Sequence, residues 1–262
     1  MTPTIRDRVS RRADAALERW VRFTTPRVER VLDETDWTPD APGAYCHRCG
    51  VTVGPGEATA TGCGTCRDAP GLADGVVRLG AYADELREWV LAVKYQGWEA
   101  MAEALGRQLG AVVAQARPGA GDALAVVPLP MPWQRRLYRG IDHAALIAAG
   151  AATVLGAPML RLLTKRNGPP QVSLPTSQRR RSGARGMRVR TIGPVVPNRR
   201  WIRDSTVLLV DDVCTTGASL RAAARLLRPL KPARIIVAVV AVSDDRARRQ
   251  RHGPRDDVDR LA

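Results

Sequence analysis

The stretch VLLVDDVCTTGASL, residues 207–220, decides the fold. Apolar residues at 207–210 run into two adjacent acids, Asp211 and Asp212, and then into hydroxyl residues around Gly217. An unbroken apolar run bounded by turn residues reads as a strand buried on both faces, and such strands belong to parallel sheets covered by helices. In open parallel sheets ligands bind beyond the carboxyl ends of the strands, which is where the acids fall. Thr215, Thr216, Gly217, Ala218 and Ser219 then lead into the next helix. Backbone N–H groups at a glycine turn, nearby hydroxyls and the positive end of a helix together suit one phosphate. Two neighbouring carboxylates can accept hydrogen bonds from vicinal hydroxyls. A phosphate held a short distance from a diol describes a ribose 5-phosphate. Neither GxxxxGK[ST] nor GxGxxG is present in this stretch. The plainer reading, a strand, a turn and a capped helix, gives no reason to place two acids at a buried strand end.

Outward from this stretch, strands and helices alternate. VVRLGAY (76–82), ALAVVPLP (123–130), a segment near 159–163 and RIIVAVVAV (234–242) read as strands. ELREWVLAVKYQG (85–97) carries Leu86, Trp89, Val90 and Val93 at i, i+3, i+4, i+7 spacing and reads as a helix. Residues 101–115, 143–156 and 219–230 read as three more helices. The expectation is an α/β domain over 76–243 with a parallel sheet flanked by helices. Aromatics are only 4% of the 262 residues, so aliphatic side chains must build its core.

Ahead of that domain lies YCHRCGVTVGPGEATATGCGTCRD. Cys46 and Cys49 form one CxxC pair, Cys63 and Cys66 another, and thirteen residues separate the pairs. This spacing predicts a structural zinc site in a small ribbon over 45–70, closed by four thiolates with no open position for substrate. Two disulfides are the competing reading, and a cytoplasmic setting argues against them. His47 is expected at the surface, since four cysteines complete the shell.

The flanks are charged. Residues 1–44 form an extension in which Ile5, Val9, Ala13, Ala16, Trp20 and Phe23 fall near one helical face, and 244–262 reads as a disordered tail. No apolar run approaches the about 18 residues of a membrane helix, and the first residues lack a signal-peptide core, so the expected location is cytoplasmic. Lys and Arg total 41 against 26 acids, a formal net charge of +15. That field attracts phosphorylated metabolites, nucleic acid or anionic surfaces, although an Arg- and Ala-rich composition explains it equally well.

VLLVDDVCTTGAS resembles the phosphoribosyl pyrophosphate motif of the type I phosphoribosyltransferases. Joined to a CxxC…CxxC module, it resembles the ComF (ComF/GntX-like) family of competence-associated proteins, over residues 45–242. VKYQG (93–97), with Lys94, resembles that family's lysine-tyrosine-x-glycine segment. VPLP, comprising Val127, Pro128, Leu129 and Pro130, resembles its pyrophosphate loop. RRLYRGIDHAALIA (135–148) keeps Arg139 and Gly140 of an arginine-glycine-phenylalanine-asparagine-glutamine segment, but has Ile141, Asp142 and His143 where the family has an aromatic and two amides. QVSLPTSQRRRSGARGM (171–187) resembles its mobile loop, with Ser182 in place of asparagine. The resemblance implies phosphoribosyl pyrophosphate as ligand, with Mg²⁺, and transfer of ribose 5-phosphate to an unidentified acceptor. Substrate-binding roles would fall to Asp211, Asp212, residues 215–219, residues 127–130, Lys94 and Arg139. It also implies a competence context, with single-stranded DNA and the DNA-uptake machinery as partners.

The loop has its own physical signature. Residues 161–203 hold twelve Lys or Arg and no acid, interrupted by Gly168, Pro169, Pro170 and Pro175. Such a segment could close over pyrophosphate, follow a nucleic-acid backbone, or remain solvated. The interleaved aromatics of a stacking platform for single strands are not evident, Trp133 and Tyr138 being the nearest candidates. Cys214, the fifth cysteine, is expected to fill space behind the turn. Three functions follow: a phosphoribosyltransferase, an accessory protein that binds single-stranded DNA, or a sensor of phosphoribosyl pyrophosphate.

Overall fold

The computed structural model describes residues 28–67, 71–116, 123–132, 140–165, 186–190 and 201–244. In chain order its elements are α1 (Val28–Glu34), β1 (Gly75–Ala81), α2 (Asp84–Gln96), α3 (Glu99–Ala116), β2 (Leu124–Pro128), α4 (His143–Leu155), β3 (Leu163–Lys165), β4 (Met187–Val189), β5 (Thr206–Cys214), α5 (Ala218–Leu227), a 3₁₀ turn (Arg228–Leu230) and β6 (Arg234–Val242). The chain divides into two units, Met1–Trp37 and Thr38–Ala262. In the first, α1 carries an exposed Arg30–Glu34 pair, and the Thr35 hydroxyl donates to the carbonyl of Val31. The expected amphipathic face at 5–23 lies outside the described residues.

In the second unit four apolar runs form one sheet in the order β1-β6-β5-β2, with every neighbouring pair parallel. The central strand β5 is the stretch 207–210 with its flanks, and Val207, Leu208, Leu209 and Val210 are all fully buried. Successive side chains of a strand point to opposite faces. Val207 and Leu209 join Leu220, Ala223 and Leu227 of α5 in one core. Leu208 and Val210 therefore point to the other face, where α4 packs against β2 and β5. The helices that follow β2 and β5 thus cover opposite faces. A crevice opens between two such strands at their carboxyl ends.

Glycine permits the tight contact between α3 and α4. A Cβ on Gly106 would lie 2.2 Å from the Ile147 carbonyl oxygen, and one on Gly150 would lie 2.3 Å from that of Glu103. The strand expected near 159–163 is reduced to one bridge, Val126 to Met159. Pro158 can only accept there, from the N–H of Val126, and Leu162 N–H turns back to the Leu160 carbonyl after a single pairing. Among the described residues no helix is long and apolar enough to cross a membrane.

Candidate functional site

The register between β2 and β5 assembles the site. Pro128 lies opposite Val210, and one residue further on the Leu129 N–H donates to the Val210 carbonyl at 2.8 Å. That bond sets the Leu129–Pro130 turn beside Asp211. Val127, Pro128 and Leu129 are buried and Pro130 is half-buried. Arg139, Trp133, Tyr138 and residues 171–185 of the basic loop lie outside the described residues.

The two acids occupy different environments. Alternation along β5 directs Asp212 to the α4 face and Asp211 to the α5 face. Asp212 is 6% exposed. Its Oδ2 lies 2.8 Å from His143 Nε2, at the start of α4, and 3.2 Å from Lys94 Nζ, in the last turn of α2. Its Oδ1 accepts the Val213 N–H at 2.5 Å. Burial would raise this carboxyl, but the His143 bond and the Lys94 charge outweigh it and hold Asp212 below the usual range. Asp211 moves the opposite way, pushed up by desolvation first and by the Asp212 charge second. The pair thus carries one firmly ionised carboxylate and one that readily holds a proton.

The cradle follows from the turn. Gly217 caps α5 in the left-handed region, at φ 67°. Thr216 Oγ1 accepts the Ala218 N–H at 3.4 Å, and the exposed Thr215 and Thr216 hydroxyls border the turn. The first N–H groups of a helix have no partner within it, so α5 presents them here. Arg221, one turn along α5, reaches back to donate to the Thr216 carbonyl at 2.7 Å. This brings a guanidinium to the cradle, which the turn motif alone did not reveal. Leu72 closes the cradle from behind, since a Cβ on Gly217 would lie 2.1 Å from Leu72 Cδ2. Cys214 is buried, and desolvation followed by the Asp211 charge pushes its thiol up to about 12, as expected for a space-filling residue.

The departures in the 140–143 segment have local explanations. Ile141 is buried. Asp142 caps α4 by accepting the Ala145 N–H at 3.3 Å, and its Oδ2 takes a 3.0 Å bond from Arg161 Nη1. His143 Nε2 lies 2.8 Å from Asp212 Oδ2. Reading the sequence missed His143 because its partner lies 69 positions away, and helical spacing gives no signal for such a contact.

The four cysteines form a second centre. Cys46 and Cys66 Sγ lie 3.6 Å apart, as do Cys49 and Cys63, and Cys63 and Cys66 lie 3.9 Å apart. A disulfide requires about 2.05 Å, whereas a tetrahedron of Zn–S bonds near 2.3 Å has edges of about 3.8 Å. The donor set and spacing therefore fit zinc and not paired disulfides. Burial would raise the Cys46 thiol, but N–H donation from Arg48, Cys49 and Cys63 brings it to about 7. Burial pushes Cys49 and Cys66 up. His47 is exposed, as expected.

A parallel sheet with paired acids and a glycine cradle at its carboxyl end defines a class. Residues 140–260, just under half of the chain, match the phosphoribosyl transferase domain family. The chain is also similar to a competence protein. It is 29% identical to Competence protein F of Haemophilus influenzae over 190 residues, 71% of this chain and 79% of that one, and the four-cysteine cluster fits the same assignment. Solved structures similar to it include the allosteric regulatory enzyme of purine biosynthesis, at 18% identity and TM-score 0.36 over 57% of this chain and 30% of that one. Others are a hypoxanthine phosphoribosyltransferase from Staphylococcus aureus (15%, TM-score 0.34, 56% and 66%) and a purine phosphoribosyltransferase from Pyrococcus horikoshii Ot3 (15%, TM-score 0.29, 64% and 78%).

Proposed function

We propose that this protein binds phosphoribosyl pyrophosphate with Mg²⁺ at the carboxyl ends of β2 and β5 and transfers its ribose 5-phosphate to an acceptor. The observation that carries the reading is the β2–β5 register, which sets Leu129 and Pro130 beside Asp211 at the end of the strand that leads into the Gly217 turn. In this reading residues 215–219 hold the 5-phosphate, Asp211 and Asp212 accept from the ribose hydroxyls, and the Leu129–Pro130 turn meets the pyrophosphate. Mg²⁺, when bound, offsets the charge of the pyrophosphate. The bond between the anomeric carbon and the pyrophosphate oxygen breaks with its electron pair leaving on pyrophosphate, and the acceptor forms the new bond to that carbon. The chain's contribution is charge: Lys94, Arg139 and the basic residues of 161–203 stabilise the leaving group and exclude water. Four thiolates around zinc hold the ribbon, and a cytoplasmic setting keeps them reduced. Replacing both acids, Asp211→Asn with Asp212→Asn, is expected to abolish binding in calorimetry, and undiminished affinity would refute the assignment.

The likeness to Competence protein F favours a second reading, an accessory role in DNA uptake in which single-stranded DNA follows the basic segment 161–203. Binding of single-stranded DNA that weakens with salt and is competed by phosphoribosyl pyrophosphate supports a shared site. Absence of DNA binding at low salt removes this reading. Pyrophosphate release, measured with Mg²⁺ and a panel of bases and amines, separates an enzyme from a sensor.

A further inference from the structure

Asp212 differs from Asp211 in having both oxygens engaged by the chain itself. Oδ1 takes the Val213 N–H, and Oδ2 lies 2.8 Å from His143 Nε2 and 3.2 Å from Lys94 Nζ. Lys94 is the last basic residue of an amphipathic helix, and a flexible four-carbon stem lets its ammonium move to another anion. His143 has no such freedom. It is 5% exposed, and it starts α4, a helix locked to α3 through Gly106 and Gly150 and capped by Asp142, which Arg161 holds in turn. An imidazole fixed in this way can orient a carboxylate and then keep it oriented while a ligand replaces the mobile cation.

We propose that His143 is a positioning residue for the diol half of the site, its Nε2–H holding Asp212 Oδ2 so that the carboxylate meets the 2-hydroxyl of a ribose 5-phosphate when Lys94 moves to the ligand's phosphate groups. The proposal rests on the ribose-phosphate reading above. It assigns a job to a side chain that stands where the family carries an amide, and it divides the work between two side chains: His143 orients and Lys94 exchanges. Gln at the same position retains an N–H at nearly the reach of Nε2, whereas Leu fills the space without a donor.

Calorimetry of the full-length protein with ribose 5-phosphate, 2-deoxyribose 5-phosphate and inorganic phosphate tests this. The wild-type protein is expected to prefer ribose 5-phosphate over its 2-deoxy form. His143→Leu is expected to reduce that preference about tenfold, the scale of one hydrogen bond to a charged group, and to leave phosphate affinity within about twofold. His143→Gln restores most of the preference. A His143→Leu protein that discriminates like wild type overturns the proposal while leaving the ribose-phosphate reading intact. A wild-type protein that binds phosphate but does not discriminate overturns both. Should His143→Leu fail to fold, imidazole NMR of the wild-type protein decides the matter. The His143 resonances are expected to shift with ribose 5-phosphate and much less with phosphate or the 2-deoxy sugar, and equal shifts with all three overturn the proposal.

Discussion

Arg78 interrupts the apolar run of β1, and its guanidinium is 1% exposed. It donates to Asp40 Oδ2 at 2.6 Å, to the Gly50 carbonyl at 2.6 Å, to Thr52 Oγ1 at 2.9 Å and to Asp244 Oδ2 at 3.3 Å, with the Tyr45 ring 5.2 Å away. A planar fork of five N–H groups can serve four partners from three segments at once, which an ammonium cannot. Arg78→Ala would remove the cation from Asp40 and Asp244 and a donor from the Gly50 carbonyl. We expect it to destabilise the protein by about 3–5 kcal/mol in urea unfolding, with Arg78→Lys recovering only part. The contact was not legible beforehand. The strand VVRLGAY was, but Asp40 and Asp244 lie in stretches whose composition reads as extension and tail. The Asp40 N–H also bonds the Leu79 carbonyl, so ordered structure reaches past both expected boundaries.

At the level of elements, the turn into α5 depends on a neighbour outside the motif. Gly217 is required twice, by its φ of 67° and by Leu72, which occupies the place of a side chain. Gly217→Ala is expected to cost about 1–2 kcal/mol through the left-handed backbone alone and to weaken phosphate binding further as Leu72 is displaced. Adding Leu72→Ala should recover the steric part and not the backbone part, as read by calorimetry with inorganic phosphate. Helix periodicity in ELREWVLAVKYQG and the glycine turn of residues 215–219 identified these elements before any coordinates, because both are local patterns. The α3–α4 crossing was not visible in that way. Gly106 and Gly150 interrupt two apolar helices at positions that make sense only when the helices face each other.

Across the whole molecule, the cysteine module and the sheet share one hydrogen-bonded frame. The residues between the first two ligands supply carbonyls to the domain: His47 accepts the Val76 N–H at 2.8 Å, and Arg48 accepts the Leu72 N–H at 3.1 Å. Gly50 packs on Val242 and Val76. If the four cysteines hold zinc, as proposed above, its removal would release the knuckle that carries these carbonyls, and with it Leu72 behind the Gly217 turn. Chelation is therefore expected to lower the temperature of a single cooperative transition in calorimetry and to weaken phosphate binding. Two separate transitions would show that module and domain are independent.

The sequence alone determined the fold class, the four-sulfur site and the location of the ribose-phosphate candidate, because buried strands, CxxC pairs and a glycine turn after paired acids are written in consecutive residues. Tertiary structure alone decided how the two acids differ. Asp211 and Asp212 are chemically identical and equally desolvated neighbours, and only the tertiary structure brings His143 of α4 and Lys94 of α2 to Asp212 and not to Asp211. The energy of a buried charge depends on partners brought from distant positions in the chain, and no local pattern encodes them.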